Sequence, residues 1–257
     1  MKPAYRVLQS GDLSGIGDPV IVSTFMRSGT HLTIDLLRRQ FDAFRSWKRP
    51  LEALDSLYLP VDVLLPGWEP ADWSIPRVLE VLRRPRRPVL KTHFLDADLM
   101  NLRQSQPVVA DWLDQRGTFL HVTRDLRQVL PSLWAFLPDW QGSDPVPFDE
   151  AFVREWAARA HEHAERWRAR PGTRSIDYAE ITGHPEALIR RLGDWLDEPP
   201  LLKLPLLPRP IKSRWESRLL RLFASQSEST AILSARRTQP WRPDWNSLLP
   251  PCLGSSN

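Results

Sequence analysis

Four short apolar runs, each ending in polar residues, recur along the chain with helical patterns between them. They are "PVIVST" (19–24), "PVLKTH" (88–93), "GTFLHVTR" (117–124) and "TRSIDY" (173–178). Runs this short and this apolar read as strands buried on both faces. Between and after them, residues 31–44, 76–84, 125–136, 149–170 and 185–196 carry amphipathic helical periodicity, with Leu32, Ile34, Leu36, Leu37 and Phe41 largely on one face of the first. Strands separated by helices predict an α/β fold with a central, mostly parallel sheet flanked by helices. The length of 257 residues fits a single domain spanning 1–257.

Two stretches interrupt the alternation. Residues 45–75 hold Trp47, Trp68 and Trp73 among several prolines, and residues 199–257 open with "PPLLKLPLLPRPIK". Excursions this long are usually functional, so 45–75 and 200–235 are expected to form a helical and loop cap over a binding site. No apolar run is long enough to span a bilayer and the N-terminus has no leader-like apolar segment, so a membrane span and a signal peptide are not expected. A single cysteine, Cys252, fits a reducing, cytoplasmic setting. The net charge of +4 comes with dispersed arginines, which does not suggest nucleic-acid binding. Only five of the 35 basic residues are lysines, so each lysine is somewhat more informative than any one arginine.

The first strand runs into "TFMRSGTHL" and then directly into a helix. Gly29 permits a tight turn, and the N–H groups at the helix start point toward the strand end. With the helix dipole they favour phosphate or sulfate; Arg27 adds charge, and Ser28, Thr30 and His31 add donors. An ordinary Ser/Thr-capped turn has the same pattern. The GxxxxGK[ST] spacing of nucleotide triphosphatases is absent.

The other strand ends point to the same edge. Lys91 and His93, two apart, share a face near the end of their strand, where open parallel sheets bind ligands. Histidine suits proton abstraction near neutral pH, and lysine stabilises developing negative charge, although a lone strand-end histidine is also a common structural residue. Arg124 ends the third strand and Ser132 follows eight residues later; together they make a second anion site, or Arg124 makes a plain surface salt bridge. His161 and His163 are two apart on a helix, point to different faces and read as surface residues rather than metal ligands. No metal-binding cluster stands out.

Taken in order, these segments resemble the sulfotransferases that use 3′-phosphoadenosine 5′-phosphosulfate (PAPS). The 5′-phosphosulfate loop of that family, roughly (Y/F)PKSGT(T/N)W, is similar to "TFMRSGTHL". The KTH of its second strand is Lys91–Thr92–His93, and its R(N/D)PRDVVVSxY motif resembles "RDLRQVLPSLW". "EHAERW" and "SIDYAEI" follow in the family's order, so the likeness covers about residues 19–196. It implies a P-loop-like fold and an enzyme that moves the sulfuryl group from PAPS to a hydroxyl, releasing adenosine 3′,5′-bisphosphate. By position it implies that Arg27, Ser28, Gly29, Thr30 and His31 hold the 5′-phosphosulfate. Arg124 and Ser132 would bind the 3′-phosphate, and Tyr178 would lie near the adenosine. Arg236 and Arg237 of "ARRTQPW" stand where the family has an RKG segment, here without the glycine.

The implied mechanism has His93 as general base while Lys91 and Arg27 stabilise charge on the sulfuryl and bridging oxygens. Arg27 replaces the family's usual lysine, and His31–Leu32 replaces a small or polar residue followed by tryptophan. Pro131 stands before Ser132, where it can kink a helix. Trp47, Trp68, Trp134, Phe136 and Trp140 would line a site for a small, largely apolar or aromatic acceptor. Glu52 or Asp55 are alternative bases. The alternatives to a sulfotransferase are an ATP-using kinase on the same fold and a non-catalytic nucleotide-binding protein.

Overall fold

The computed structural model describes residues 7–52, 54–65, 73–93, 96–141, 147–208 and 242–249. Strands β1 (Val20–Thr24), β2 (Leu59–Pro60), β3 (Val89–Thr92), β4 (Thr118–Thr123) and β5 (Arg174–Asp177) form one sheet in the order β2-β3-β1-β4-β5. Every neighbouring pair is parallel. The four apolar runs correspond to β1, β3, β4 and β5. The edge strand β2 is two residues long and contains a proline, too little for a periodicity to reveal.

The helices are α1 (Thr30–Gln40), α2 (Ile75–Arg83), α3 (Asp96–Ser105), α4 (Pro107–Arg116), α5 (Leu126–Gln141), α6 (Glu150–Ala169), α7 (Tyr178–Gly183) and α8 (Pro185–Leu196). α1 stops earlier than its periodicity predicts. Phe41 turns extended at φ −135° and packs edge-on to Phe44, whose ring centroid is 6.0 Å away. α5 continues through Pro131 rather than ending there. α3 and α4, joined through Pro107 at the first turn of α4, fall in a stretch whose apolar spacing was not distinctive.

Side-chain alternation divides the sheet into two buried faces. Ile21, Leu90 and Phe119 face one way and pack with Val78 of α2, Leu102 of α3, Trp112 of α4 and Trp167 of α6. Val20, Val22, Leu120, Val122 and Ile176 face the other way, under Ile34 and Leu37 of α1 and Leu188 and Leu192 of α8. Each buried Leu, Ile or Val contributes about 1.5–3 kcal/mol relative to exposure. α5 and α6 form a third cluster that also takes Trp245.

Of the segment 200–235 expected to cap the site, residues 201–208 are described and are held against α1. Arg39 donates to the carbonyls of Pro205 and Leu204 at 2.7 and 2.8 Å, and Gln40 donates to those of Lys203 and Leu206. Residues 201–208 are thereby strapped to the C-terminal end of α1. That end lies about 16 Å from the N-terminus of α1 at 1.5 Å per residue. Residues 209–235 lie outside the described residues.

The surface reading of the helix histidines is corrected for one of them. His163 is buried at 1% exposure, on the face of α6 marked by Ala157, Ala160, Ala164 and Trp167. Its ring lies 5.3 Å from that of His121 on β4 and 5.9 Å from Phe25. Burial, then the nearby His121 and His93, push His163 down to about 2. Burial, then Arg168, push His121 down to about 4, with the backbone of Ser23 acting the other way. An unfolded chain takes up protons on both rings as the pH falls below 6.5, while the folded chain stays neutral at both until about 4. Stability is therefore expected to fall between those pH values, and His163→Leu to flatten the dependence, as read by urea unfolding across the range.

Candidate active site

A parallel sheet brings the C-terminal ends of its strands to one edge, and here β1, β3 and β4 end side by side. The segment Phe25–Gly29 links β1 to α1. Phe25 and Met26 pack into the α5–α6 cluster, which fixes the direction in which the chain leaves the strand. Two left-handed residues then turn it: Arg27 at φ 67° and Gly29 at φ 107°. For Arg27 that conformation costs about 1–3 kcal/mol, an expense seen mainly where a site requires the geometry. The Ser28 N–H closes the turn onto the Phe25 carbonyl at 3.1 Å, and the Thr30 hydroxyl meets that of Thr24 at 2.5 Å.

α1 begins at this turn, with Thr33 N–H to Gly29 O as its first main-chain bond. The N–H groups of Gly29, Thr30, His31 and Leu32 thus precede any intrahelical acceptor and present the positive end of the helix dipole. A Cβ on Gly29 would stand 2.6 Å from the Tyr178 ring, so the loop is pressed against that ring.

Arg124, just after β4, lies over the other part of this clamp. Its guanidinium carbon is 4.1 Å from the Tyr178 ring centroid, and its Nη1 donates to the Arg27 carbonyl at 3.1 Å. Arg27 Nε donates to Ser132 Oγ at 3.1 Å, and its guanidinium sits 5.0 Å from the Phe136 ring centroid. Burial, followed by the charge of Arg124, lowers the Arg27 pKa. Burial lowers that of Arg124 as well, against the favourable charges of Tyr178 and Asp125. Two guanidiniums are therefore held close at one loop, and an anion between them would relieve both effects.

His93, immediately after β3, reaches across to β1. Its Nδ1 lies 2.8 Å from the Thr24 carbonyl oxygen and 3.2 Å from the Thr24 hydroxyl. A carbonyl only accepts, so Nδ1 carries the proton and the lone pair is on Nε2. Burial, then Lys91, drive the His93 pKa down to about 3, although the Thr24 carbonyl acts in the opposite direction. His93 is thus a neutral base in this setting. Next to it, His31 Nε2 lies 3.0 Å from the Tyr58 hydroxyl, and Lys91 Nζ lies 5.9 Å from the Tyr58 ring centroid. Burial, Lys91, His93 and Arg27, in that order, hold His31 well below the usual histidine value.

The structure therefore brings Arg27, Ser28, Gly29, Thr30, His31, Lys91, His93, Arg124, Ser132 and Tyr178 together around one turn. Phe136 joins them beneath Arg27, and Trp134 packs against Phe148 with ring centroids 5.3 Å apart. Trp47 does not join: it stacks on Arg84, beyond the C-terminal end of α2, which leads into the opposite end of β3. Glu52 is committed elsewhere as well, accepting from Arg77 at 2.7 Å, Arg84 at 2.9 Å and the Arg49 N–H at 2.7 Å. Burial would raise its pKa, but these bonds, led by Arg84, bring it to about 2. Trp68, Arg236 and Arg237 lie outside the described residues, as do the side chains of Asp55 and Trp140. Among the described residues, no three His, Cys, Asp or Glu side chains group as metal ligands would.

Thr24 and Tyr58 were not singled out from the sequence. A threonine before the loop was a visible signal for the first; the second has no local motif. Gly29→Ala is expected to destabilise the protein by about 2–4 kcal/mol, through left-handed strain and the clash with Tyr178. Chemical denaturation measures this loss.

No protein family description and no curated protein sequence matches the chain. Solved structures do. Mouse sulfotransferase SULT7A1 complexed with PAP matches at a TM-score of 0.51 and 15% identity, over 94% of this chain and 83% of that one. Retinol dehydratase in complex with androsterone and inactive cofactor PAP aligns over 70% of this chain and 60% of that one, at 19% identity and a TM-score of 0.36. The first match runs nearly end to end and sets this chain on the fold of a sulfotransferase. The chain has the α/β, P-loop-like fold of the sulfotransferases, with a five-stranded parallel sheet flanked by helices.

Proposed function

We propose that the protein is a PAPS-dependent sulfotransferase that modifies a hydroxyl of a small, largely apolar or aromatic acceptor. The observation that carries this reading is the convergence of Arg27, Arg124 and Lys91 with the N-terminus of α1 beside the neutral base His93. Such a cluster suits a donor with two anionic groups, one at the helix start and one at Arg124. Adenosine 3′-phosphate 5′-phosphosulfate meets that description, and its product PAP keeps both phosphates. Tyr178, stacked with Arg124 and pressed on Gly29, would lie beside the adenosine. Phe136 and Trp134 would line the apolar approach. Arg236 and Arg237 are proposed to close over the 3′-phosphate. The lone Cys252 agrees with a cytoplasmic setting.

In this mechanism His93 Nε2 accepts the proton of the acceptor hydroxyl as its oxygen attacks sulfur. The sulfur–oxygen bond to the acceptor forms while the bond from sulfur to the bridging phosphate oxygen breaks, and PAP leaves. Lys91 and Arg27 stabilise the charge gathering on the bridging oxygen, with the α1 N–H groups behind them. Thr24 acts through its carbonyl, which keeps the lone pair of His93 on the nitrogen facing the acceptor.

Calorimetry with PAP, AMP and ATP tests the donor. PAP is expected to bind, AMP and ATP to bind at least about tenfold more weakly, and Arg124→Ala to remove that preference. Equal binding of PAP and AMP overturns the reading, and tight ATP binding favours a kinase. His93→Gln is expected to leave PAP affinity intact while lowering sulfuryl transfer by about 10²–10⁴. That variant is assayed by PAP release from PAPS in a panel of phenols and aliphatic alcohols.

A further inference from the structure

Tyr58 is buried at 2% exposure, so its hydroxyl needs an internal partner. Sheet register explains how it finds one. Leu59 is paired with Leu90 and Pro60 with Lys91, so Tyr58, one residue earlier, is level with Val89. Alternation then puts the side chains of Tyr58 and Lys91 on the same face of the sheet. α1 covers that face, and its first turn sets His31 Nε2 at 3.0 Å from the Tyr58 hydroxyl. The Lys91 ammonium stands 5.9 Å from the centroid of the same ring, at the outer reach of a cation–π contact. One phenol thus touches both the helix that would bind the phosphosulfate and the strand that carries the lysine and the base.

We propose that Tyr58 is a positioning residue: its hydroxyl donates to His31 Nε2 and so fixes the proton on Nδ1, and its ring holds the Lys91 ammonium toward the sulfuryl group of the donor. The direction of the bond follows from the surroundings. Lys91 lies beside the ring, and a phenol that donates to the imidazole keeps its oxygen lone pairs available to nearby positive charge. His31 is neutral there, because burial and the charges of Lys91, His93 and Arg27 disfavour its protonation. It is therefore able to accept. Tyr58 thereby ties α1 to the edge of the sheet at the point where the reacting group would sit. The part concerning Lys91 rests on the sulfotransferase reading; the part concerning His31 does not.

The first test is nitrogen-15 NMR of the imidazoles in the ligand-free protein. His31 is expected to be the Nδ1–H tautomer in the wild type, and to become Nε2–H or a mixture in Tyr58→Phe. An unchanged tautomer in that variant overturns the proposal. The second test compares PAP and PAPS by calorimetry. Tyr58→Phe is expected to weaken PAPS by about tenfold while leaving PAP within about twofold. An equal loss for both ligands overturns the positioning role, since a general loss of structure has that signature. Should Tyr58→Phe not fold, His31→Ala removes the same bond from the other side and is expected to show the same selective loss. His31→Gln, whose amide can accept from the phenol, is expected to restore it; failure to do so also counts against the proposal. Wild-type protein that binds neither ligand defeats the sulfotransferase reading, and the tautomer measurement still decides the hold of Tyr58 on His31.

Discussion

Two guanidiniums and an ammonium held around one turn repel one another, and the turn exists to keep them there. Many arginines of the chain meet carboxylates: Arg77 and Arg84 on Glu52 and Glu80, Arg191 on Glu180, Arg190 on Glu186. At the β1–α1 turn Arg27 meets a hydroxyl and an aromatic face, while Arg124, with Asp125 as a favourable charge, meets a carbonyl, an amide and another ring. Hydroxyl, carbonyl and ring partners of this kind fix the direction in which a cation points. The left-handed Arg27, the Gly29–Tyr178 contact and the Thr24–Thr30 bond all act to hold this arrangement against its own charge.

The surrounding architecture follows from where that turn has to be. β1 is the inner strand between β3 and β4, so three strand ends deliver Thr24, His93 and Arg124 to one place without a long loop. Thr24 is the shared point. Its hydroxyl serves the first residue of α1 and its carbonyl serves the histidine of the neighbouring strand. A single residue thus couples the β1–α1 turn to the proposed base, and both lie at one corner of the sheet.

The central part of this arrangement was legible in the sequence because buried parallel strands leave contiguous apolar runs, and because the residues ending those runs meet at one turn. Residues that enter the site by register rather than by adjacency were not legible. Tyr58 reaches His31 only because a two-residue strand is paired with β3, and nothing within "DSLYLP" announces that pairing. His163 shows the converse case. Spacing alone correctly separates it from His161, but not which of the two faces inward; the small residues Ala160 and Ala164 and the large Trp167 on its stripe carry that information. Trp47 was grouped with the site on residue type, whereas Arg84 gives it a partner at the other end of the sheet.

The brevity of β2 has a consequence for association between molecules. Among the described strands it is an outer one, and of its two residues Pro60 has no N–H to offer a neighbour. An edge so short and so poor in donors gives an incoming strand nothing to zip onto, which protects the sheet from growing on that side. The same shortness that hid the strand from sequence inspection makes this flank of the molecule a poor template for aggregation.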